Sequence, residues 1–359
     1  MSLTIIYPYR NRELERIKIS LNSLITQSNT NFKVLFIDYG STLLHSKEIQ
    51  EALIDYSFVN YFYSYSLDQP WSRAKAVNIG IKNTTTNYVF IADIDMIFKP
   101  NFVEVLYELQ QPNTSYYFKV GFLSESESNI TKEFNQYNIA HFSGIGAQGL
   151  SLFETSELKK VRGFDEFLHF WGAEDEDIHN RLIAAGNKEI FYEAEILMLH
   201  RWHPTYRTLE HNNLDKNLQI KSITSLNQQH LLYNKNSSCS VVNSQNWGNS
   251  ITKDSYNELI NNISKTTLIN KREIIDHFLY VELPNFENGI LNIKIIEDDF
   301  KSSVKYLAKK ALNKKVPRYY SLKKINDMVL LHLISFYRDT IYSYKITDDL
   351  KSIELTIKK

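Results

Sequence analysis

The sequence predicts an α/β protein built on a mostly parallel, doubly wound sheet, followed by a smaller, mainly helical domain. Three observations carry this. β-prone apolar runs alternate with stretches of helical periodicity through the first hundred residues, the pattern of successive strand–helix units. Carboxylates and arginines fall at the ends of those runs, where open α/β sheets bind ligands. A polar, Asn- and Ser-rich stretch from Asn234 to Thr252 reads as a linker or long surface loop, and the remainder reads chiefly as helices. The expected domains are 1–235, with halves at 1–100 and 101–235, and 236–359.

Leu3 to Tyr7 is the first strand, ending in Pro8-Tyr9-Arg10-Asn11-Arg12. Leu14, Ile17, Leu21, Leu24 and Ile25 then recur at spacings of three and four, which is a helix. Arg10 and Arg12 stand near that helix's start, where the macrodipole disfavours cations. A phosphate or carboxylate ligand is one reason for them, and simple solvation is the other. Phe32 to Ile37 is the second strand, closed by Asp38-Tyr39-Gly40-Ser41; Asp38 either accepts hydrogen bonds from a nucleobase or caps a turn. Val59 to Tyr65 is the third. Trp71 to Gly80 is a helix with small residues on one side, suited to close packing on a sheet.

The run from Val89 to Ile97 organises the rest. It is apolar enough for a strand buried on both faces, yet it holds Asp93 and Asp95, around Ile94. Side chains two apart on an extended chain point the same way, so both carboxylates are expected to face one divalent ion and the phosphates it bridges. The plainer alternative is an Asp-capped turn. No Gly-rich phosphate loop is present, so phosphates fall to a metal and arginines.

Phe142 to Gly149 is dense in glycine, and Gly144 there is expected to let the backbone approach a ligand. Strand-like Leu150 to Phe153 follows. After Arg162-Gly163-Phe164-Asp165-Glu166 comes Phe170-Trp171-Gly172-Ala173-Glu174-Asp175-Glu176-Asp177, opening a helix that Gly186 terminates. Acids in a first turn gain about 0.3–1 kcal/mol each from the macrodipole. Four together exceed that need, because they repel one another. A carboxylate here suits general-base work, and Trp171 offers a flat apolar face to a ligand. His200-Arg201-Trp202-His203 follows two further short strands, and neutral imidazole suits a transition metal. A lone His is more commonly a satisfied core or surface residue.

Pro8-Tyr9-Arg10-Asn11-Arg12, Trp71-Ser72-Arg73-Ala74-Lys75 with Asn78 and Gly80, and Asp93-Ile94-Asp95 resemble the nucleotide-sugar half of a GT-A glycosyltransferase of the family-two bacterial and β-1,4-galactosyltransferase kinds. Trp171-Gly172-Ala173-Glu174-Asp175 resembles the galactosyltransferase signature, in which Gly stands at the position of Ala173. The resemblance covers roughly residues 3–205. It implies donor contacts from Pro8, Arg10, Arg12, Asp38, Trp71, Arg73, Asp93, Ile94 and Asp95. It implies acceptor contacts from Gly144, Trp171, Gly172, Glu174 and Asp175, with Asp175 as catalytic base. Mn²⁺ (or Mg²⁺) is implied on Asp95 with His200, His203, or both.

The expectation is therefore an inverting, metal-dependent enzyme that moves Gal, GalNAc, Glc or GlcNAc from a UDP-sugar to a saccharide or lipid-linked saccharide, for a surface polysaccharide or lipooligosaccharide. The rivals are a nucleotidyltransferase, an inactive carbohydrate-binding protein on the same fold, and a membrane-anchored scaffold. Zero formal net charge argues against nucleic acid as partner. A single cysteine, Cys239, excludes an internal disulfide and fits a reducing compartment. No secretory signal opens the chain and no apolar run reaches the roughly 18 residues of a membrane span, so a cytoplasmic place is expected. Lys301 to Lys324 holds many lysines, one arginine and no acid, with Val304, Leu307, Ala308, Ala311 and Leu312 on one helical face. That pattern gives peripheral contact with the inner face of the plasma membrane, or a packed helix with a solvated lysine face.

Overall fold

The structure, a computed structural model, describes residues 2–204, 212–261 and 265–359. It divides into two compact units: Met1–Leu67, Ser72–Thr208 and Thr224–Ser250 form the first, and Asp68–Trp71, Leu209–Ile223 and Ile251–Lys359 the second.

The first unit begins with β1 (Leu3–Tyr9), α1 (Leu14–Ile25), β2 (Phe32–Tyr39), α2 (Leu43–Leu53), β3 (Val59–Ser64), α3 (Arg73–Asn83), β4 (Tyr88–Ile91) and β5 (Met96–Phe98). It continues with α4 (Phe102–Glu108), β6 (Thr114–Phe118), β7 (Gly121–Leu123), α5 (Glu125–Ser128), β8 (Ile139–Phe142), β9 (Ser151–Glu154) and α6 (Thr155–Lys160). It ends with α7 (Glu174–Ala184), β10 (Lys188–Tyr192), β11 (Met198–His200) and α8 (Ile223–Asn236), whose first residue groups with the second unit.

A seven-stranded sheet runs in the order β10-β6-β9-β4-β1-β2-β3. Its strands are parallel except β9, which runs against both β4 and β6. β1 is buried along its whole length, as expected of a central strand covered on both faces. Ile17, Leu21 and Leu24 are the buried stripe of α1. α3 lies close on β1 because Gly80 permits it: a Cβ there would stand 2.7 Å from Ile6 Cγ2.

The run Val89–Ile97 is not one strand. It breaks after Ile91, and Met96 resumes in a second sheet ordered β5-β11-β7-β8. The carboxylates are the physical reason. Asp93 and Asp95 lie in the crossing between sheets, where each finds a polar partner that no ladder position offers.

The stretch read as a linker or loop is also firmly held. Asn243, 4% exposed, donates from Nδ2 to the carbonyls of Arg162 (2.8 Å) and Phe164 (2.6 Å) and accepts from the Glu166 amide (3.0 Å). Its polar composition supplies buried hydrogen bonds and does not signal solvation.

The second unit holds α9 (Lys253–Ile260), β12 (Thr266–Ile269), α10 (Arg272–His277), α11 (Leu283–Asn285), β13 (Ile290–Ile296), α12 (Val304–Ala311), α13 (Leu322–Phe336), β14 (Tyr342–Ile346) and β15 (Ser352–Lys358). The sequence reading expected a mainly helical part, and helices are present. A four-stranded sheet, β12-β13-β15-β14, is there as well. Alternation in β15, with Ile353, Leu355 and Ile357 at 0% exposure, is the half-buried strand pattern that betrays it. Asp68 packs against this sheet's edge, its Oδ2 accepting from Ser343 Oγ and Tyr256 Oη at 2.8 Å each.

Candidate active site

The pairing of β5 with β11 sets Met96 opposite His200, which brings Asp95 beside that histidine. His203 arrives three residues later, after the Arg201 amide has donated to the Asp95 carbonyl at 3.1 Å. One ligand atom from each of Asp95, His200 and His203 lies within 4.8 Å of the other two. His203 Nε2 is 3.2 Å from Asp95 Oδ2, and His200 Nε2 is 3.7 Å from Asp95 Oδ1.

Two features suit this cluster to a divalent cation. Asp95 Oδ1 is buried with no hydrogen-bond partner among the described residues, a costly arrangement unless something else engages it. His203 Nδ1 lies 2.8 Å from the Pro204 carbonyl, which fixes the proton on that nitrogen and leaves the Nε2 lone pair toward Asp95. Arg16 of α1, which the sequence reading passed over, comes within 3.9 Å of Asp95 Oδ2. Only its place one turn into α1 could have marked it.

Asp93 points elsewhere. Its Oδ1 accepts from Arg73 Nε at 3.1 Å, so the two carboxylates expected to share one ion are split between a metal-type cluster and an arginine. The same guanidinium donates from Nη1 to Asp175 Oδ1 at 2.7 Å and from Nη2 to the Gly149 carbonyl at 2.9 Å. Arg73, the first residue of α3 after the Ser72 cap, thus joins the edge of the parallel sheet to the start of α7. Its fork is engaged by protein groups, which differs from the expectation of a direct hold on the donor.

Burial opposes the charge on Arg73, but attraction from Asp175, then Asp93 and Glu174, outweighs it and holds the pKa well above the usual value. Burial raises the Asp175 carboxyl, against the pull of Arg73. Burial, with repulsion from Asp175, pushes Glu174 up to about 7.

α7 begins in a strained loop. Phe170 (φ 66), Gly172 (φ 92) and Ala173 (φ 77) all lie in the left-handed region. For Ala173 this is the conformation that glycine adopts freely and an L side chain resists. The kinks leave Trp171 37% exposed, while the buried Asn227 amide donates to its carbonyl at 3.0 Å. Three of the four acids divide their tasks, and Glu176 is exposed. Glu174 and Asp175 turn toward Arg73, whereas Asp177 is buried against Arg181 (Oδ2 to Nε, 2.6 Å) and Asn234. Gly149 makes room for the base candidate, since a Cβ there would stand 3.0 Å from Asp175 Oδ2. One turn beyond Asp175, the buried His179 lies 2.9 Å from Ser151 Oγ and 2.9 Å from Glu189 Oε1; its helical spacing from Asp175 was the available signal.

The remaining predicted residues fall as follows. Arg10 Nη2 donates to the Leu67 carbonyl at 2.5 Å, and Arg12 is exposed. Asp38 is fully buried, accepting from the Ser41 amide (2.8 Å) and Tyr61 Oη (2.9 Å), and burial raises its carboxyl pKa. It therefore does at least the turn-capping task. Pro8 is buried within β1, and Ile94 packs in the core. Gly144 lies in open space, with nothing within 4 Å of a built Cβ, so close backbone approach by the protein itself does not explain it. Trp71 groups with the second unit. Arg162–Glu166 is scaffold: Asn78 Nδ2 donates to Glu166 Oε1 at 2.9 Å, and His230 and Asn234 hold the buried Asp165.

Residues 4–156 match the family described as glycosyl transferase family 2. Residues 129–208 match one described as the N-terminal domain of galactosyltransferase. Among solved structures, the chain is similar to S. aureus TarS at 18% identity and TM-score 0.44, covering 56% of this chain and 37% of that one. It is similar to GalNAc-T7, crystallised with UDP, GalNAc and Mn²⁺, at 15% identity and TM-score 0.48, covering 65% of this chain and 48% of the other. The chain thus spans less than half the length of either. Both family matches are to glycosyltransferases, and the parallel-rich sheet that carries the first of them fits the GT-A fold. The family-two match ends at residue 156, and the galactosyltransferase match takes in the segment that carries α7, His200 and His203. Among the described residues, no helix is long and apolar enough to cross a membrane.

Proposed function

We propose that the protein is an inverting, metal-dependent transferase that moves Gal, GalNAc, Glc or GlcNAc from a UDP-sugar to a hydroxyl of a saccharide or lipid-linked saccharide, in the synthesis of a bacterial surface polysaccharide or lipooligosaccharide. The observation that carries the reading is the meeting of Asp95, His200 and His203, with an unpartnered buried oxygen on Asp95, in the same unit as the Arg73-bound acid of α7. Residues 1–100 are assigned to the donor, 101–235 to the acceptor, and 236–359 to an accessory role, the protein working at the cytoplasmic face.

Asp95, His200 and His203 would hold Mn²⁺ or Mg²⁺. When bound, the cation supplies positive charge that stabilises the departing diphosphate. Arg10 and Arg12 are assigned to the nucleotide, with the buried Asp38 behind them and Asp93 on the ribose side. Trp171 stacks on the acceptor sugar, and Glu174 orients its hydroxyls. Asp175 takes the attacking proton on Oδ2, because Oδ1 is engaged by Arg73. Its raised pKa makes it a stronger base than an ordinary aspartate. In-line attack from the acceptor side, opposite the leaving group, inverts the anomeric centre.

The test is a screen of the four UDP-sugars with saccharide acceptors, following UDP release in Mn²⁺ against EDTA. UDP release that needs both acceptor and metal is expected. Pyrophosphate as product, or sugar binding indifferent to Mn²⁺ with no UDP from any donor, overturns the reading.

A further inference from the structure

Helix α12 presents its apolar side to solvent. Val304, Leu307 and Leu312 are 82%, 56% and 66% exposed, and no residue of the helix is buried. At about 100° per residue, Val304, Leu307, Ala308 and Ala311 form one stripe, with Leu312 at its edge. Tyr306 projects from the opposite side. There its ring meets Phe300 and Tyr319 edge-on, each at 5.8 Å between centroids, and so anchors the helix. The outward stripe is rimmed by Lys305 and Lys309 on one edge and Lys310 on the other, with Lys314 and Lys315 just beyond. Among the described residues, no carboxylate lies within ion-pair distance of these five lysines. In a chain of zero formal net charge they make a strongly cationic, apolar-centred ridge.

A core helix turns its stripe inward, and a solvated one spaces leucines among charges. This helix does neither. We propose that α12 docks on an anionic lipid bilayer, with Val304, Leu307 and Leu312 entering the acyl boundary and the lysines resting on the headgroups. The charge pattern selects the occupant. A second copy of this chain would set five unpaired lysines against five more, whereas an anionic membrane meets both the charge and the apolar stripe.

Sedimentation of the full chain with extruded vesicles tests this, using phosphatidylcholine alone and phosphatidylcholine with 30% phosphatidylglycerol, in 0.1 M and 0.5 M NaCl. Binding at least tenfold tighter to the anionic vesicles is expected, weakening at the higher salt. Removing a lysine costs about fivefold, so Lys305→Gln with Lys309→Gln and Lys310→Gln should lose about a hundredfold. Leu307→Glu, and separately Val304→Ser with Leu307→Ser, should each lose tenfold or more. Val304, Lys305, Leu307 and Lys310 are exposed and Lys309 is half-buried with no ion-pair partner among the described residues, so melting temperatures should hold. Equal binding to both vesicle types, no binding to either, or binding that survives the Leu307 changes overturns the proposal. So does a wild-type dimer that Leu307→Glu makes monomeric. UDP release without vesicles should be unchanged in every variant, so failure of the transferase reading and failure of membrane docking are separately visible.

Discussion

Arg73 Nη1 stands 2.7 Å from Asp175 Oδ1, while Nε of the same guanidinium holds Asp93 at 3.1 Å. One cation therefore ties a carboxylate at the end of the seven-stranded sheet to a carboxylate in the first turn of α7. Arg73→Ala should leave two acids and Glu174 repelling one another. Because both partners keep some contact with water, the expected loss is about 2 kcal/mol, below the 3–5 of a fully buried pair. Chemical denaturation measures it, and Arg73→Lys, which lacks the fork, should not restore transfer.

Asp175→Asn keeps charge off the base position without changing its size. UDP affinity should stay within about twofold, while transfer falls by about 10²–10⁴, the range of general-base catalysis. Calorimetric titration of UDP beside initial-rate kinetics separates the two. Transfer at the wild-type rate would remove Asp175 from its assigned task.

Asp95→Ala removes the carboxylate that faces both histidines. Nucleotide binding should lose its dependence on Mn²⁺, and activity should fall about 100-fold or more. Mn²⁺ binding followed by electron paramagnetic resonance is a readout independent of turnover.

Glu174 carries a pH signature. Its carboxyl is pushed up to about 7 from an ordinary 4.5, so between those values the folded chain holds a proton that the unfolded chain has released. The stability this group contributes is present below about pH 4.5 and is lost as pH climbs to 7. Asp175 acts in the same direction. The melting temperature of Glu174→Gln, compared with that of the wild type, should rise progressively between pH 5 and 8. A difference independent of pH would contradict the assignment.

Ala173 sits at φ 77, where the galactosyltransferase signature has Gly. Ala173→Gly should stabilise the fold by about 1 kcal/mol, raising the melting temperature by about 2–4 °C for a unit of this size. Thermal unfolding at pH 7 checks it.

Much of the first unit was legible in the sequence. β1, α1, β2, β3 and α3 follow from apolar periodicity, and Gly80 from the need for helix and strand to approach. The acid-rich start of α7 and its terminating Gly186 were equally plain. Other features depend on partners far along the chain. Strand periodicity cannot tell that Val89–Ile97 breaks at its carboxylates, nor that Met96 resumes opposite His200, because that partner lies far along the chain. Composition cannot tell that Asn243 is buried, since a polar side chain reads as solvated until its carbonyl partners are known. Arg73 looked available to a phosphate because nothing near it in sequence announces Asp175. The strand β15 was overlooked because alternating Ile and Leu among charges is only convincing beside a second strand.

The short ladder between β5 and β11 has a consequence for assembly. Asp95 leaves the ribosome long before either imidazole, and no cation can be gripped until the later strand has settled beside the earlier one. On the proposed reading, metal uptake would wait for β11, and nascent or truncated chains ending short of it should capture no divalent cation.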